Sequence, residues 1–177
     1  MRPLKLIISA FGPFRDTQSV DFTLLGEQPL FLINGVTGAG KTTILDAICF
    51  ALYGKTTGDE REASQMRSDG ASGDVLTFVE FTFSLKNQFY RVRRVPEQVR
   101  PKSVGEGVTK QGAQAQLWLV DSSGADIKVL VSQKVTDANR EIESLTGLNA
   151  DQFRQVMVLP QGQFRKLLMA DSKDREA

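Results

Sequence analysis

The hydrophobic positions of this chain change period several times, and each change marks an element. Apolar residues over 4–9 and 19–22 are short runs that read as strands. Residues 30–33, Leu-Phe-Leu-Ile, are apolar without a break, which is the pattern of a strand buried on both faces. From Lys41 to about Tyr53 the period becomes helical. Ile44, Leu45, Ile48 and Leu52 follow it, and Gly54 supplies a C-terminal stop. Residues 55–74 are polar and glycine-rich and read as a long loop. Over 75–85 the period falls to two, with Val75, Val79, Phe81, Phe83 and Leu85 on one face. Lys86-Asn87-Gln88 turns the chain, and 89–95 returns as the partner strand of a hairpin.

The stretch 96–113 holds Pro, Gly, Lys and Gln with little to bury, and is expected to be a mobile loop. Residues 115–121 form another strand that turns at Ser122-Ser123-Gly124. Ser132 is placed to cap a helix carrying Val135, Ala138, Ile142 and Leu145, closed by Gly147. Asn149 with Gln152 three residues later has the spacing of a capping box for a short helix. A strand over 156–159 then leads into Pro160-Gln161-Gly162-Gln163-Phe164, after which Phe164, Leu167 and Leu168 are again helically spaced. The last residues are charged and carry no stop signal, so the chain is expected to be the front of a longer polypeptide. No internal repeat is present.

The chain has 177 residues, 41% of them hydrophobic and 24% charged, which is enough for one domain with a core. A net charge of +1 means that an electrostatic partner has to be met by a local patch. The single cysteine, Cys49, excludes an internal disulfide, suits a reducing compartment, and is assigned to the core. With no histidine, neither a histidine base nor an imidazole metal ligand comes from this chain. The start does not read as a signal peptide, because its apolar run over 6–10 is short and breaks at Gly12-Pro13. No run approaches the roughly 18 apolar residues that a membrane span needs.

The chemistry concentrates in Gly35-Val36-Thr37-Gly38-Ala39-Gly40-Lys41-Thr42, which fits the phosphate-loop (Walker A) pattern G-x-x-x-x-G-K-[ST] between an apolar strand and an apolar-faced helix. Glycines let the backbone fold closely enough for the amides from Thr37 to Gly40 to face phosphate oxygens, and the helix N-terminus adds partial positive charge. Lys41 is the cation for the β- and γ-phosphates. Thr42 offers a hydroxyl to Mg²⁺, whose coordination is all oxygen, and Thr43 is within reach of the α-phosphate. The loop therefore predicts ATP and Mg²⁺ as cofactors. Hydrolysis also needs an acid that holds the metal and a group that places water. Asp121 ends an apolar strand but is followed by a turn, so it reads as a turn residue. Leu145-Thr146-Gly147-Leu148 comes nearest to a Leu-Ser-Gly-Gly stretch, but Gly147 is better explained as a helix stop. The chain carries the nucleotide-gripping half of a site without Walker B and signature motifs.

The string "INGVTGAGKTTILDAICFALYGKT", followed by "QMRSDGA" and "VMVLPQGQFRKLLMA", closely resembles the N-terminal segment of the SbcC-type ATPases. These are SMC-like, ABC-class ATPase subunits of bacterial SbcC–SbcD nucleases. The resemblance covers essentially the whole chain. It implies an α/β fold: the P-loop lobe of an ABC-type ATPase head over 1–162, with an accompanying antiparallel sheet, and the root of a coiled-coil helix over 163–177. It implies that Gln161 is the Q-loop residue reaching Mg²⁺ and the attacking water, with Gln163 the weaker candidate. A neutral amide oxygen suits an Mg²⁺ shell. It also implies a turn near the nucleotide resembling "SAFGPFRDTQSVDF", in which Arg15 is a candidate for the phosphates or base. Further partners implied are the C-terminal segment of the same protein, a second head in the ATP state, an SbcD-type nuclease partner and double-stranded DNA, in a bacterial cytoplasm near the nucleoid and without a membrane.

Arg91, Arg93 and Arg94 fall in one strand, with Arg100 and Lys102 just beyond it. Arg91 and Arg93 share a face and Arg94 points the other way. Read alone they form a solvated hairpin. With the resemblance they become candidates for sequence-independent contacts to DNA phosphates. Rival readings are a self-sufficient small P-loop kinase, a non-catalytic binding module, and a transporter ATPase fragment.

Overall fold

The structure is a computed structural model that describes residues 1–26, 31–58, 63–102 and 106–157. Its centre is a six-stranded antiparallel sheet of β1 (Arg2–Ser9), β2 (Gln18–Asp21), β3 (Phe78–Leu85), β4 (Gln88–Val95), β7 (Gln114–Val120) and β8 (Asp126–Val131), in the order β2-β1-β3-β4-β7-β8. A separate two-stranded ribbon pairs β5 (Gln98–Pro101) with β6 (Val108–Gln111). The helices are α1 (Lys41–Tyr53), α2 (Val135–Thr146) and α3 (Ala150–Met157).

Alternation along the strands sets the register. Leu6, Phe81, Val92, Leu117 and Val131 stand opposite one another across β1, β3, β4, β7 and β8 and form a row across the buried face. The neighbouring rows run Ile7–Glu80–Arg93–Gln116 and Thr82–Arg91–Trp118–Val129 on the opposite face, which is polar and half exposed. β3 and β4 are joined by a two-residue turn in which Lys86 (φ 49) and Asn87 (φ 62) both take positive φ, the hand that matches strand twist. Helices α1 and α2 cover the buried face with Ala47, Phe50, Ala51, Leu52, Ala138 and Ile142. Gly54 and Gly147 close these two helices in left-handed conformations, as their sequence positions require.

Several expectations are corrected. Residues 31–33 are not a doubly buried strand. Phe31 is 49% exposed and Leu32 88%, and among the described residues no strand lies beside them to complete a hydrogen-bond ladder. Leu30 lies outside the described residues. The stretch 96–113 is not structureless. Gln98 is buried there, and its side chain bonds both the N–H and the C=O of Thr77 at 3.0 Å, which ties the ribbon to the approach to β3. Strand β8 has no counterpart in the sequence reading, because its apolar residues Ile127 and Val129 lie exposed at a sheet edge. Helix α2 is entered from an extended Lys134 with no side-chain cap, so Ser132 does not cap it, and Asp137 in the first turn favours the helix dipole instead. Val156 and Met157 belong to α3 and not to the strand expected over 156–159, whose last two residues lie outside the described residues. The Asn149–Gln152 box forms in both directions, at 2.9 and 3.0 Å. Residues 163–177, expected as a coiled-coil root, lie outside the described residues.

Candidate nucleotide-binding site

The loop from Asn34 to Thr42 is shaped by its own backbone. The Asn34 side chain accepts the Gly35 N–H at 2.8 Å, and Ala39 N–H closes a turn onto Val36 O at 3.2 Å. Gly38 and Gly40 hold φ of 84° and 88°, which L side chains rarely adopt. Gly40 is the N-cap of α1 and provides no side-chain cap, and the first turn of α1 carries no acid. The helix thus presents its first amides and positive end to an anion, with no carboxylate in its own first turn competing for them.

Lys41 bends back over this loop. Its ammonium donates to Gly35 O and Val36 O, both at 2.8 Å, so the charge lies over the cradle. Thr42 is exposed, which leaves its hydroxyl accessible to a cation, whereas Thr43 is buried against the backbone of Gly12. A Cβ on Gly12 would come within 2.6 Å of Thr43 Cγ2.

The turn after β1 is brought to the same place. A Cβ on Gly40 would lie 2.7 Å from the Phe14 ring and 2.9 Å from Pro13, so this close approach requires glycine. The turn is pinned from behind, with Gly12 N–H bonded to Met66 O at 2.7 Å and Ser68 N–H to Ala10 O at 2.9 Å. Arg15 is exposed and its side chain lies on Gly70, where a Cβ would be 2.5 Å from Arg15 Nε. Pro13, Phe14 and Gly70 were not singled out by sequence reasoning. The signal available for them was the Gly-Pro-Phe string and the glycine in "QMRSDGA". Gln161 and Gln163 lie outside the described residues.

The other candidate residues separate into distinct environments. Arg94 is 2% exposed and points to the core, where Nε donates to Ala51 O at 2.7 Å and Nη2 donates to Leu52 O and Asn139 Oδ1 at 2.6 and 2.7 Å. Burial lowers its pKa to about 10, which still leaves it charged at neutral pH. It clamps the C-terminal carbonyls of α1, and its expected role at DNA phosphates is withdrawn because its donors are turned inward and engaged. Arg91 lies over the Trp118 ring, 4.8 Å from the centroid, and pairs with Asp126. Arg93 lies 4.1 Å over the Phe78 ring, on the open sheet face. Arg100 is half-buried beside Gln111, and Lys102 is exposed. Asp121 is a turn residue, as its sequence context indicates: its Oδ1 accepts from Ser123 N–H, Ser123 Oγ and Ala125 N–H at 2.8, 2.6 and 2.9 Å. The Ser123 hydroxyl, aided by those amides, holds its carboxyl below the usual carboxylate range.

A lysine folded over a glycine loop that runs into a helix N-terminus defines a P-loop nucleoside-triphosphate-binding domain. Within that class the chain belongs to the AAA domain family, whose profile matches residues 5–177. It is 54% identical over 176 residues to the C subunit of the SbcCD nuclease of Vibrio cholerae, covering 99% of this chain and 17% of that relative. It is 44% identical over 177 residues to the protein of the same name from Lactococcus lactis, covering all of this chain and again 17% of the relative. The relative from Staphylococcus saprophyticus is 37% identical over 180 residues, covering 99% of this chain and 17% of its own length. The chain thus spans about one sixth of the length of these relatives, as the 17% coverage states. Among the described residues no helix is long and apolar enough to cross a membrane.

Proposed function

We propose that this chain is the ATP-gripping N-terminal segment of an SbcC-type ATPase head. In this reading a C-terminal segment of the same protein completes the head, and two heads engage on ATP. Engagement controls a partner SbcD-type nuclease acting on double-stranded DNA ends and hairpins. The carrying observation is the pairing of a formed phosphate cradle under Lys41 with an apolar run, Phe31-Leu32, left uncovered beside it. Such a pairing fits one side of a two-part site. The names of the matched nuclease subunits, and the greater length of those relatives, support the same reading.

The residues present fit a Mg²⁺-bound triphosphate. The loop amides from Thr37 to Gly40 and the first amides of α1, at Lys41, Thr42 and Thr43, would hold phosphate oxygens, and Lys41 would exchange its two carbonyl partners for the β- and γ-phosphates. Thr42 would give its hydroxyl to Mg²⁺, which when bound neutralises charge on the phosphates. Gln161 would join it and orient the attacking water, and Arg15 would approach the nucleotide from its seat on Gly70. The reaction is in-line attack of water on the γ-phosphorus. The bond to the bridging oxygen breaks, and the charge developing on the phosphate oxygens is stabilised by Lys41 and the loop amides.

The test is reconstitution. Mixed with C-terminal polypeptides of an SbcC-type relative, the chain is expected to turn over Mg·ATP only in the mixture, and Lys41→Ala is expected to reduce that rate by about 100-fold or more. Turnover by the isolated chain on a small acceptor would instead mark a self-sufficient kinase. DNA contact is proposed for Arg93, Arg100 and Lys102, with Arg91 already neutralised by Asp126. Replacing those three is expected to flatten the slope of log K against log salt by roughly 3. An unchanged slope removes them from the DNA surface.

A further inference from the structure

Helix α1 is joined to α3 by a polar chain that the phosphate-loop chemistry does not use. Asp46 stands one turn beyond Thr42 on α1. Its Oδ1 accepts the Thr57 N–H at 3.0 Å and also the Thr57 hydroxyl. Thr57 is 5% exposed, and its carbonyl accepts from Arg154 Nε on α3 at 3.1 Å. Both ends of the Thr57 residue are therefore committed, the amide to the phosphate-loop helix and the carbonyl to a helix 97 residues further along the chain. The Arg154 side chain is only 15% exposed, and Asp151 on the same helix lies 3.5 Å from its Nη1. An apolar contact runs parallel to this chain, with the Tyr53 and Phe153 rings 5.1 Å apart.

The geometry has a direction. α3 is started by the Asn149–Gln152 box and in sequence precedes Pro160-Gln161-Gly162. The rings of Tyr53 and Phe153 resist separation of α1 and α3, but an apolar contact tolerates sliding and rotation. Hydrogen bonds with defined donors and acceptors do not, because they weaken steeply off axis. The Asp46–Thr57–Arg154 chain therefore sets register where the rings only hold contact. It starts on the helix turn that follows Thr42 and Thr43, so it ties the register of α3 to the helix that follows the cradle.

We propose that Arg154 is a positioning residue for ATP hydrolysis, which fixes α3 against the phosphate-loop helix through Thr57 and Asp46. The proposal rests on the ATPase reading above and adds to it a residue that touches neither nucleotide nor metal. It predicts a specific kinetic signature. Nucleotide capture belongs to the cradle and stays, whereas the rate after capture depends on the register.

The test is made in the full-length protein, with Mg·ATP turnover and equilibrium nucleotide binding measured on the same preparations. Arg154→Gln is expected to lower kcat by about 10- to 100-fold, the scale on which a small misplacement of a reacting group acts, while KM and ATP affinity stay within about twofold. Arg154→Lys keeps a donor for Thr57 O and is expected to recover most of the rate. Asp46→Ala combined with Arg154→Gln is expected to be little worse than the poorer single variant, because both act through Thr57. A variant that folds and keeps the wild-type kcat overturns the proposal. So do equal losses in kcat and ATP affinity that Lys fails to rescue, since those describe a structural staple. Should Arg154→Gln fail to fold, Asp46→Ala, which removes both bonds to Thr57, takes its place: a lowered kcat at unchanged ATP affinity is expected, and a wild-type kcat or equal losses in both overturn the proposal. Lys41→Ala runs beside every arm. If the wild type shows no Lys41-dependent turnover, the ATPase reading falls and this proposal with it, whereas loss of the Arg154 signature alone leaves that reading standing.

Discussion

Phe81 in β3 and Leu32 ahead of the phosphate loop are both large apolar residues in runs whose pattern reads as strand, yet Phe81 is 1% exposed and Leu32 88%. Around Phe81 the sheet supplies Leu6 on one side and Val92 on the other, and α1 packs above it. Around Leu32 the described residues supply no ladder, and the ring of the adjacent Phe31 meets that of Phe22 at 5.9 Å. Sequence writes the apolar face, but burial depends on the neighbour. The sheet finds its neighbours within this chain. The phosphate-loop run does not find them among the described residues, which is the behaviour expected of a surface that another segment covers.

The largest effect tests that contrast directly. Phe81→Ala is expected to destabilise the chain by about 3–5 kcal/mol, and Leu32→Ala by less than about 0.5 kcal/mol, in urea unfolding of the isolated chain. Comparable losses would mean that residues 31–33 are buried in solution and that the contrast is false. A second, somewhat smaller effect sets two adjacent arginines against each other. Arg94→Met strands two backbone carbonyls and the Asn139 oxygen and is expected to cost about 3 kcal/mol, whereas Arg93→Met loses a ring contact worth about 0.5–1 kcal/mol. Denaturant midpoints of the two variants decide it. The smallest effect lies at the entrance to α3. Asn149→Ala removes one half of the capping box and is expected to cost about 1 kcal/mol, with helix content reduced locally in amide exchange.

The sequence was most legible where a local rule decides the outcome. Helix α1 runs from Lys41 to Tyr53 as its period and Gly54 indicated, and the β3–β4 hairpin and the Asn149–Gln152 box follow the same logic. The rest depended on distant partners. Gln98 reads as a polar loop residue until Thr77 stands beside it, and β8 is ordered by pairing with β7 and not by its own alternation. Arg94 looks like its basic neighbours, and only the α1 carbonyls opposite it turn it inward. At the site, the loop and Lys41 were visible as a motif. The Pro13–Phe14 cover on Gly40 and the Asp46–Thr57–Arg154 chain join residues that no local spacing relates.

Cys49 lies buried on α1, 1% exposed, and burial pushes its thiol pKa up to about 12, with the nearby Asp46 carboxylate adding to the effect. At neutral pH almost none of it is the reactive thiolate. This chain is therefore already silent toward alkylating and spin-labelling reagents. A single thiol engineered at Leu32 or Thr37 would be the sole reactive thiol of this chain, letting the covering of Leu32 or the arrival of nucleotide be followed without first stripping the background.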